Sequence, residues 1–230
     1  MPQSELRAEL LDDSKRGLVS FLSSLGSNPQ YHWGFTVIRT AYGPGTDKQF
    51  QRLIDRMEAE VRSTLMAKAA PRLFDPDGEV DRVLEGLTEE VLRLFLLRIR
   101  SDKDDLDGAS VEAIRAMMKD EGPGEPPLDG LGVVLLVDEE VLDSVPRAEA
   151  AGREPWIKVL ELDYLPEIHK ENARIPRRYF GWMILCSTAL WRFWNMLYLK
   201  ELWAFAPAAD QNGRLVKVWD GDSESKTIEF

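Results

Sequence analysis

Residues 131–137, LGVVLLV, form a continuous apolar run between Asp-Gly on one side and Asp-Glu-Glu on the other. A short run of this kind is typical of a strand that is buried on both faces at the centre of a sheet. Further along the chain, WIKVLELDY at 156–164 and FGWMILC at 180–186 are rich in aromatic and β-branched residues, which predicts two more strands. No long crossover helix fits between 131–137 and 156–164, so we expect these two strands to pair antiparallel.

The N-terminal half contributes one more strand and most of the helices. WGFTVIRTAY at 33–42 predicts a strand, because it is rich in aromatic and β-branched residues and is closed by the Gly-Pro-Gly turn at 43–45. Apolar residues at three- and four-residue spacing predict helices over 3–25, after residue 46, and over 80–100.

The predicted order after the first helix is β-α, a helical insertion, and then β-β-β-α-β. This order predicts the α+β class, with a ferredoxin-like, mostly antiparallel sheet that carries the insertion at about 72–120. A doubly wound α/β sheet is the alternative. We expect a single domain over 1–220, with a Gly- and Pro-rich linker at 121–130 and a mobile tail at 221–230.

Composition excludes several classes of function. The 29 basic and 40 acidic residues give a net charge of −11, which argues against a nucleic-acid partner. A single Cys and two His leave no disulfide framework and little basis for a metal site, so we expect neither a metal nor a cofactor. The N-terminal residues lack a basic segment followed by an apolar one, which predicts a cytoplasmic protein.

The stretch 180–199, FGWMILCSTALWRFWNMLYL, is apolar enough to need a test for membrane insertion. A spanning helix needs about 20 apolar residues, and here Arg192 and Asn195 would lie inside the hydrocarbon. The pattern therefore argues against a membrane span.

Four residues near the predicted strand ends are candidates for catalysis: Arg39, Tyr42, Asp163 and His169. Arg39 shares the parity of the apolar residues of its strand, and an inward-facing Arg requires a carboxylate or a ligand oxygen. Asp138, Asp163 and Tyr164 are candidate partners for it. The alternative is a structural ion pair at the frayed end of the strand. His169, in a basic loop, is of the residue type that most often acts as acid or base, although the pattern favours an ordinary surface histidine.

Aromatic residues are the most unusual feature of the chain. Six of the seven Trp follow residue 155, and the remaining one, Trp33, begins the first predicted strand. Trp33, Trp182, Trp191 and Trp194 are candidate ligand-binding residues, because aromatic side chains line most small-molecule sites. Their alternative role is to form the hydrophobic core.

Two motifs, WGF-x-x-x-R-T-x-Y from residue 33 and YFGWM from residue 179, carry a resemblance to a family. Together with the segments 94–118, 132–145 and 156–167, they resemble proteins of filamentous ascomycete fungi that have no known activity. The resemblance implies a fungal, intracellular protein, and no site residue is carried over from it.

Two functions fit these patterns. The first is a small-molecule-binding or cofactor-independent enzyme domain of fungal specialised metabolism, which acts through an aromatic pocket with Arg39, Tyr42, Asp163 and His32 or His169 as polar groups. The alternative is a non-enzymatic interaction protein, which forms a homodimer or binds a partner through the aromatic helix predicted at 188–202.

Overall fold

The computed structural model describes residues 3–25, 32–73, 82–120, 132–167, 179–207, 217–221 and 226–227. Its α-helices are α1 (Gln3–Ser24), α2 (Thr46–Leu73), α3 (Arg82–Arg93), α4 (Lys103–Leu106), α5 (Val111–Asp120), α6 (Glu139–Ala150) and α7 (Leu190–Leu197). Short 3-10 helices cover Ser187–Ala189 and Leu202–Ala204.

One mixed sheet organises the described strands. They are β1 (Trp33–Arg39), β2 (Phe95–Arg100), β3 (Val133–Val137), β4 (Trp156–Glu161), β5 (Trp182–Cys186), β6 (Lys217–Trp219) and β7 (Lys226–Thr227). Their spatial order is β2-β1-β3-β4-β5-β6-β7. The pairs β3–β4, β4–β5 and β6–β7 are antiparallel, whereas β1–β3 and β5–β6 are parallel.

The broad class predicted from the sequence is confirmed, since the chain is a mixed α/β fold. The ferredoxin-like, mostly antiparallel sheet is not confirmed, because two of the strand pairs at its centre and edge run parallel. The antiparallel pairing expected between 131–137 and 156–164 is present, with Leu135 opposite Val159. Its premise is wrong, however, because the 12-residue helix α6 lies between the two strands.

The helix predicted over 80–100 is wrong at its C-terminal end. Helix α3 ends at Arg93, and FLLRIR at Phe95–Arg100 is β2, at one end of the sheet order. A short apolar run has the same hydrophobic content in a helix as in a strand, and pairing with a neighbouring strand decides between them. The predicted insertion at about 72–120 therefore contains a strand of the sheet. The predicted linker at 121–130 lies outside the described residues.

Strands β1 and β3 are buried along their whole length. On one face of the sheet, Ile38, Leu136 and Leu160 pack with Leu106 of α4 and Ile114 of α5. Residues of opposite parity point to the other face, since successive strand side chains alternate.

Aromatic side chains pack on that other face. Phe35 of β1 lies 5.5 Å from Phe193 and 5.6 Å from Trp194, both on α7, measured between ring centroids. Phe193 in turn lies 5.9 Å from Trp219 of β6. The stretch tested for membrane insertion is thus split between β5 and α7. Within the described ranges, no helix is both long and apolar enough to cross a membrane.

The chain divides into two compact units. Unit 1 comprises Met1–Trp33 and Ala59–Leu96, and unit 2 comprises Gly34–Glu58 and Leu97–Phe230. In unit 1, the fully buried indole of Trp33 donates from Nε1 to the Val91 carbonyl at 2.6 Å and packs against the ring of Phe21. The domain boundaries that the sequence predicts stay a prediction.

An arginine ties the end of β4 to the start of β5 in unit 2. Arg115 of α5 donates from Nε to the Glu161 carbonyl at 2.8 Å and from Nη2 to the Gly181 carbonyl at 2.9 Å. Its guanidinium carbon lies 4.9 Å from the centroid of the Tyr164 ring. Gly181 has φ +76°, and a Cβ there would overlap the side chains of Tyr164 and Arg115. Glycine is therefore required at this position for both its conformation and its size.

We expect Gly181→Ala to lower the free energy of unfolding by about 3 kcal/mol or more, because it combines a left-handed conformation with overlap in a packed region. Gly152→Ala is the matched control, since Gly152 has φ +61° but open space around its Cβ position. It should cost about 1 kcal/mol. Urea unfolding of both variants measures the difference, and equal losses would show that the overlap is relieved without cost.

Candidate functional site

The turn after β1 positions the candidate site. Gly45 has φ +83°, a left-handed conformation that glycine adopts without strain, and α2 begins at the next residue. The hydroxyl of Thr46 accepts from the Gly43 N–H at 2.9 Å and donates to the Gly43 carbonyl at 2.7 Å. The Gly-Pro-Gly sequence therefore brings the first turn of α2 back to the end of β1.

Arg39, the last residue of β1, is buried against this turn. It donates from Nε to the Ala41 carbonyl at 2.9 Å and from Nη2 to the Thr46 hydroxyl at 2.8 Å. Nη2 also lies 2.6 Å from the carboxylate of Asp47. A buried guanidinium needs such partners, since an uncompensated charge in the interior is strongly destabilising.

Two aromatic rings contact the same guanidinium. The Cζ atom of Arg39 lies 4.5 Å from the ring centroid of Tyr42 and 5.0 Å from that of Phe50. Contact of this kind adds a favourable interaction between the cation and the ring electrons. Together with the hydrogen bonds, it holds the guanidinium in one orientation.

The phenol of Tyr42 is a hydrogen-bond donor at neutral pH. Burial raises the pKa of Tyr42, while a side-chain hydrogen bond with Ser101 and the charge of Arg39 lower it to a smaller extent. The hydroxyl donates to the carbonyl of Arg39 at 2.9 Å. Tyr42 thus joins the backbone at the end of β1 to the acidic segment that contains α4.

A second charged cluster surrounds Lys158 of β4. Its side chain is 12% exposed, and its ammonium lies 2.5 Å from a carboxylate oxygen of Asp138 and 2.6 Å from one of Glu140. The other carboxylate oxygen of Asp138 accepts from the N–H of Val141 and caps α6. The ammonium also lies 5.5 Å from the ring centroid of Trp182. Asp138, which follows β3, therefore joins that strand to the first turn of α6 and to Lys158 of β4.

Both clusters lie near the adjacent carboxyl ends of the parallel strands β1 and β3, although parity places Arg39 on the face of Phe35 and Lys158 on the face of Leu160. Arg39 is paired with Val137, and the Thr40 N–H donates to the Val137 carbonyl at 2.9 Å. Asp138 follows directly. We call this region the carboxyl edge, defined by Arg39, Tyr42, Asp47, Asp138 and Lys158. In open α/β sheets, ligands bind most often outside the carboxyl ends of parallel strands.

Two of the predicted catalytic residues, Arg39 and Tyr42, meet at the carboxyl edge. Asp163 does not, because β4 runs antiparallel to β3. The end of β4 therefore lies beside Gly132 at the start of β3, roughly 15 Å along the strand from the carboxyl edge. Asp163 is exposed there. His169 lies outside the described residues.

The predicted ligand-binding tryptophans have different environments. Trp182 is partly buried and contacts Lys158. Trp191 and Trp194 are buried on α7, and Trp194 packs against Phe35 in the core of unit 2. Trp33 belongs to the core of unit 1.

Sequence reasoning identified the inward Arg39 but not its partner. Asp47 lies eight residues along the chain in the first turn of α2, whereas Asp138 and Tyr164 bind elsewhere. Lys158 was also missed, although it shares the parity of Leu160 in β4 and a lysine at such a position signals a buried charge. In the ranges that the structure describes, no group of three or more His, Cys, Asp or Glu side chains is placed to hold a metal.

No protein-family model, no curated protein and no solved structure matches the chain. Its function therefore has to be inferred from its own residues.

A buried tyrosine beside the last residue of β4, at the opposite end of the strands from this edge, has a strongly altered pKa. Tyr179 donates from its hydroxyl to the carboxylate of Glu161 at 2.9 Å. Burial, followed by the negative charge of Glu161 and this hydrogen bond, raises the pKa of Tyr179 far above its ordinary value of 10.0. The phenol therefore stays protonated in the folded chain at pH values where the unfolded chain ionises it.

We expect this difference to reduce stability in alkaline solution. The contribution of Tyr179 is fully present below about pH 10 and is lost above it, because only the unfolded state then releases the proton. The slope approaches about 1.4 kcal/mol per pH unit. Urea unfolding of Tyr179→Phe between neutral pH and pH 11 should show a shallower decline than the wild type.

Tyr198→Phe is the control for this measurement, since Tyr198 is half exposed. It should keep the wild-type slope. A wild-type slope in Tyr179→Phe as well would contradict the expectation.

Proposed function

We propose that the chain is a small-molecule-binding domain whose ligand binds at the carboxyl edge. The observation that carries the proposal is the arrangement around Arg39, a buried cation held in one orientation by Thr46, Asp47 and the ring of Tyr42. Preorganised polar groups beside apolar and aromatic surface are typical of small-molecule sites.

The ligand is expected to be polar and partly aromatic. Tyr42 and Trp182 are both partly buried and pack against the same apolar cluster, so each offers part of a ring beside a charged group. A cofactor-independent reaction at this edge would use Tyr42 as a hydrogen-bond donor to the substrate, because burial raises its pKa and keeps the phenol protonated. Membership in the fungal family, a role in specialised metabolism and a cytoplasmic location stay predictions.

The test is a thermal-shift screen of aromatic polyketide-like compounds, repeated with Tyr42→Phe. We expect at least one compound to raise the melting temperature of the wild type. Its affinity for Tyr42→Phe should be about fivefold to tenfold lower, the loss expected for one hydrogen bond. Tyr198→Phe, at a distant exposed position, should bind as the wild type does. No binder, or binders indifferent to Tyr42→Phe, would refute the proposal.

Association through the aromatic helix is the second candidate. The aromatic residues of α7 are mostly buried, but Tyr198 and Leu199 at its C-terminal end are 48% and 76% exposed. Two adjacent exposed apolar side chains are a small contact surface for a second copy or a partner.

If a homodimer forms there, Leu199→Asp should convert it to a monomer in sedimentation experiments, because a charge would be buried at the interface. Val83→Asp is the matched control, since Val83 is also exposed and lies in unit 1. A wild-type chain that sediments as a monomer at high concentration would exclude the dimer.

A further inference from the structure

The ion pair between Arg39 and Asp47 is unequal in its exposure to solvent. The side chain of Arg39 is 6% exposed, whereas that of Asp47 is 91% exposed. A hydrated carboxylate gains little from an ion pair, but a buried guanidinium needs an anion beside it. Another anion can therefore replace Asp47 at small cost, provided that it stays next to Arg39.

The guanidinium of Arg39 also has hydrogen-bonding capacity left over. Its Nε donates to Ala41, and its Nη2 donates to Thr46 and Asp47. Across the described part of the chain, no residue accepts a hydrogen bond from Nη1. Asp47 is thus held through one nitrogen, whereas a guanidinium can bind a carboxylate through two parallel hydrogen bonds.

The surroundings favour an anion with a single charge. The guanidinium points to the first turn of α2, where the helix dipole is positive and Lys48 is exposed. On the other side, the charges of Asp102 and Asp107 act on Tyr42, which contacts the guanidinium. A dianion such as phosphate is repelled more strongly by these two carboxylates than a monocarboxylate is.

We propose that Arg39 and the first turn of α2 bind the carboxylate of an aromatic acid, and that Asp47 occupies the same guanidinium in its absence. The bound carboxylate accepts from Nη1 and Nη2, and its ring lies beside Tyr42. Asp47 thereby competes with the ligand for Arg39. This competition lowers the affinity of the site for carboxylates and sets its selectivity. This inference rests on the small-molecule function proposed for the carboxyl edge and names the class of its ligand.

Benzoate is the probe, and its binding is followed by chemical-shift changes in the full chain. Asp47→Asn removes the competing charge and keeps an acceptor for Arg39, so it should bind benzoate about fivefold more tightly than the wild type. Asp55→Asn is the matched control, because Asp55 is an exposed acid on the same helix and its loss changes the net charge equally. It should leave the affinity within about twofold of the wild type.

Two further arms identify the ligand chemistry. Benzamide, which lacks the charge, should not bind, and Arg39→Lys should lose benzoate binding because an ammonium cannot form the paired hydrogen bonds. Asp47→Asn keeps the test decisive if Arg39→Lys does not fold. Equal affinity of Asp47→Asn and the wild type, equal gains in Asp47→Asn and Asp55→Asn, or tighter binding of inorganic phosphate than of benzoate would each overturn the inference.

Failure of this inference is distinguishable from failure of the proposed function. A screened compound whose affinity falls in Tyr42→Phe but does not change in Asp47→Asn leaves the function in place and overturns the carboxylate site. If no compound, benzoate included, binds the wild type, the proposed function fails and the carboxylate site fails with it.

Discussion

The burial of β1 and β3 on both faces is the constraint on which the rest of unit 2 depends. A strand of this kind has to be covered by apolar side chains on each side, because exposed apolar surface on either face is unfavourable in water. Leu106 and Ile114 cover one face, and Phe193 and Trp194 pack on the other. The aromatic residues of α7 are therefore mainly a part of the core, and exposed apolar side chains follow at its C-terminal end, at Tyr198 and Leu199.

The same constraint explains why charge collects at one edge. At the ends of the buried strands, the cost of burying a polar group is lower because water is close by, but side chains there still lie partly inside the protein. Arg39 and Lys158 are both largely buried and both have carboxylate partners at 2.6 Å or less. Their partners differ in one respect. Asp138 also caps α6 and is needed for the fold, whereas the side chain of Asp47 is almost fully exposed to solvent. Arg39 is thus the cation at this edge that can exchange its anion.

Much of the architecture was predictable from local pattern. The apolar run at 131–137 and the strand before the Gly-Pro-Gly turn were correctly assigned, since hydrophobic periodicity and turn residues act over a few positions. The segment 95–100 was not, because its apolar residues satisfy a helix and a strand equally and only pairing in the sheet separates the two. Asp163 was expected near Arg39 because both follow strands, but strand direction determines which ends meet.

Sequence alone was sufficient to show that Arg39 shares a face of β1 with Phe35 and Val37, that an inward Arg39 needs an anion, and that the chain has a mixed α/β core. Those conclusions depend on side-chain parity and on the cost of burying a charge, which are local properties. The partner of Arg39, the order and direction of the strands, and the packing partners of Trp33 within unit 1 required the folded chain. They depend on contacts between distant segments, and such contacts are determined by how the whole core packs.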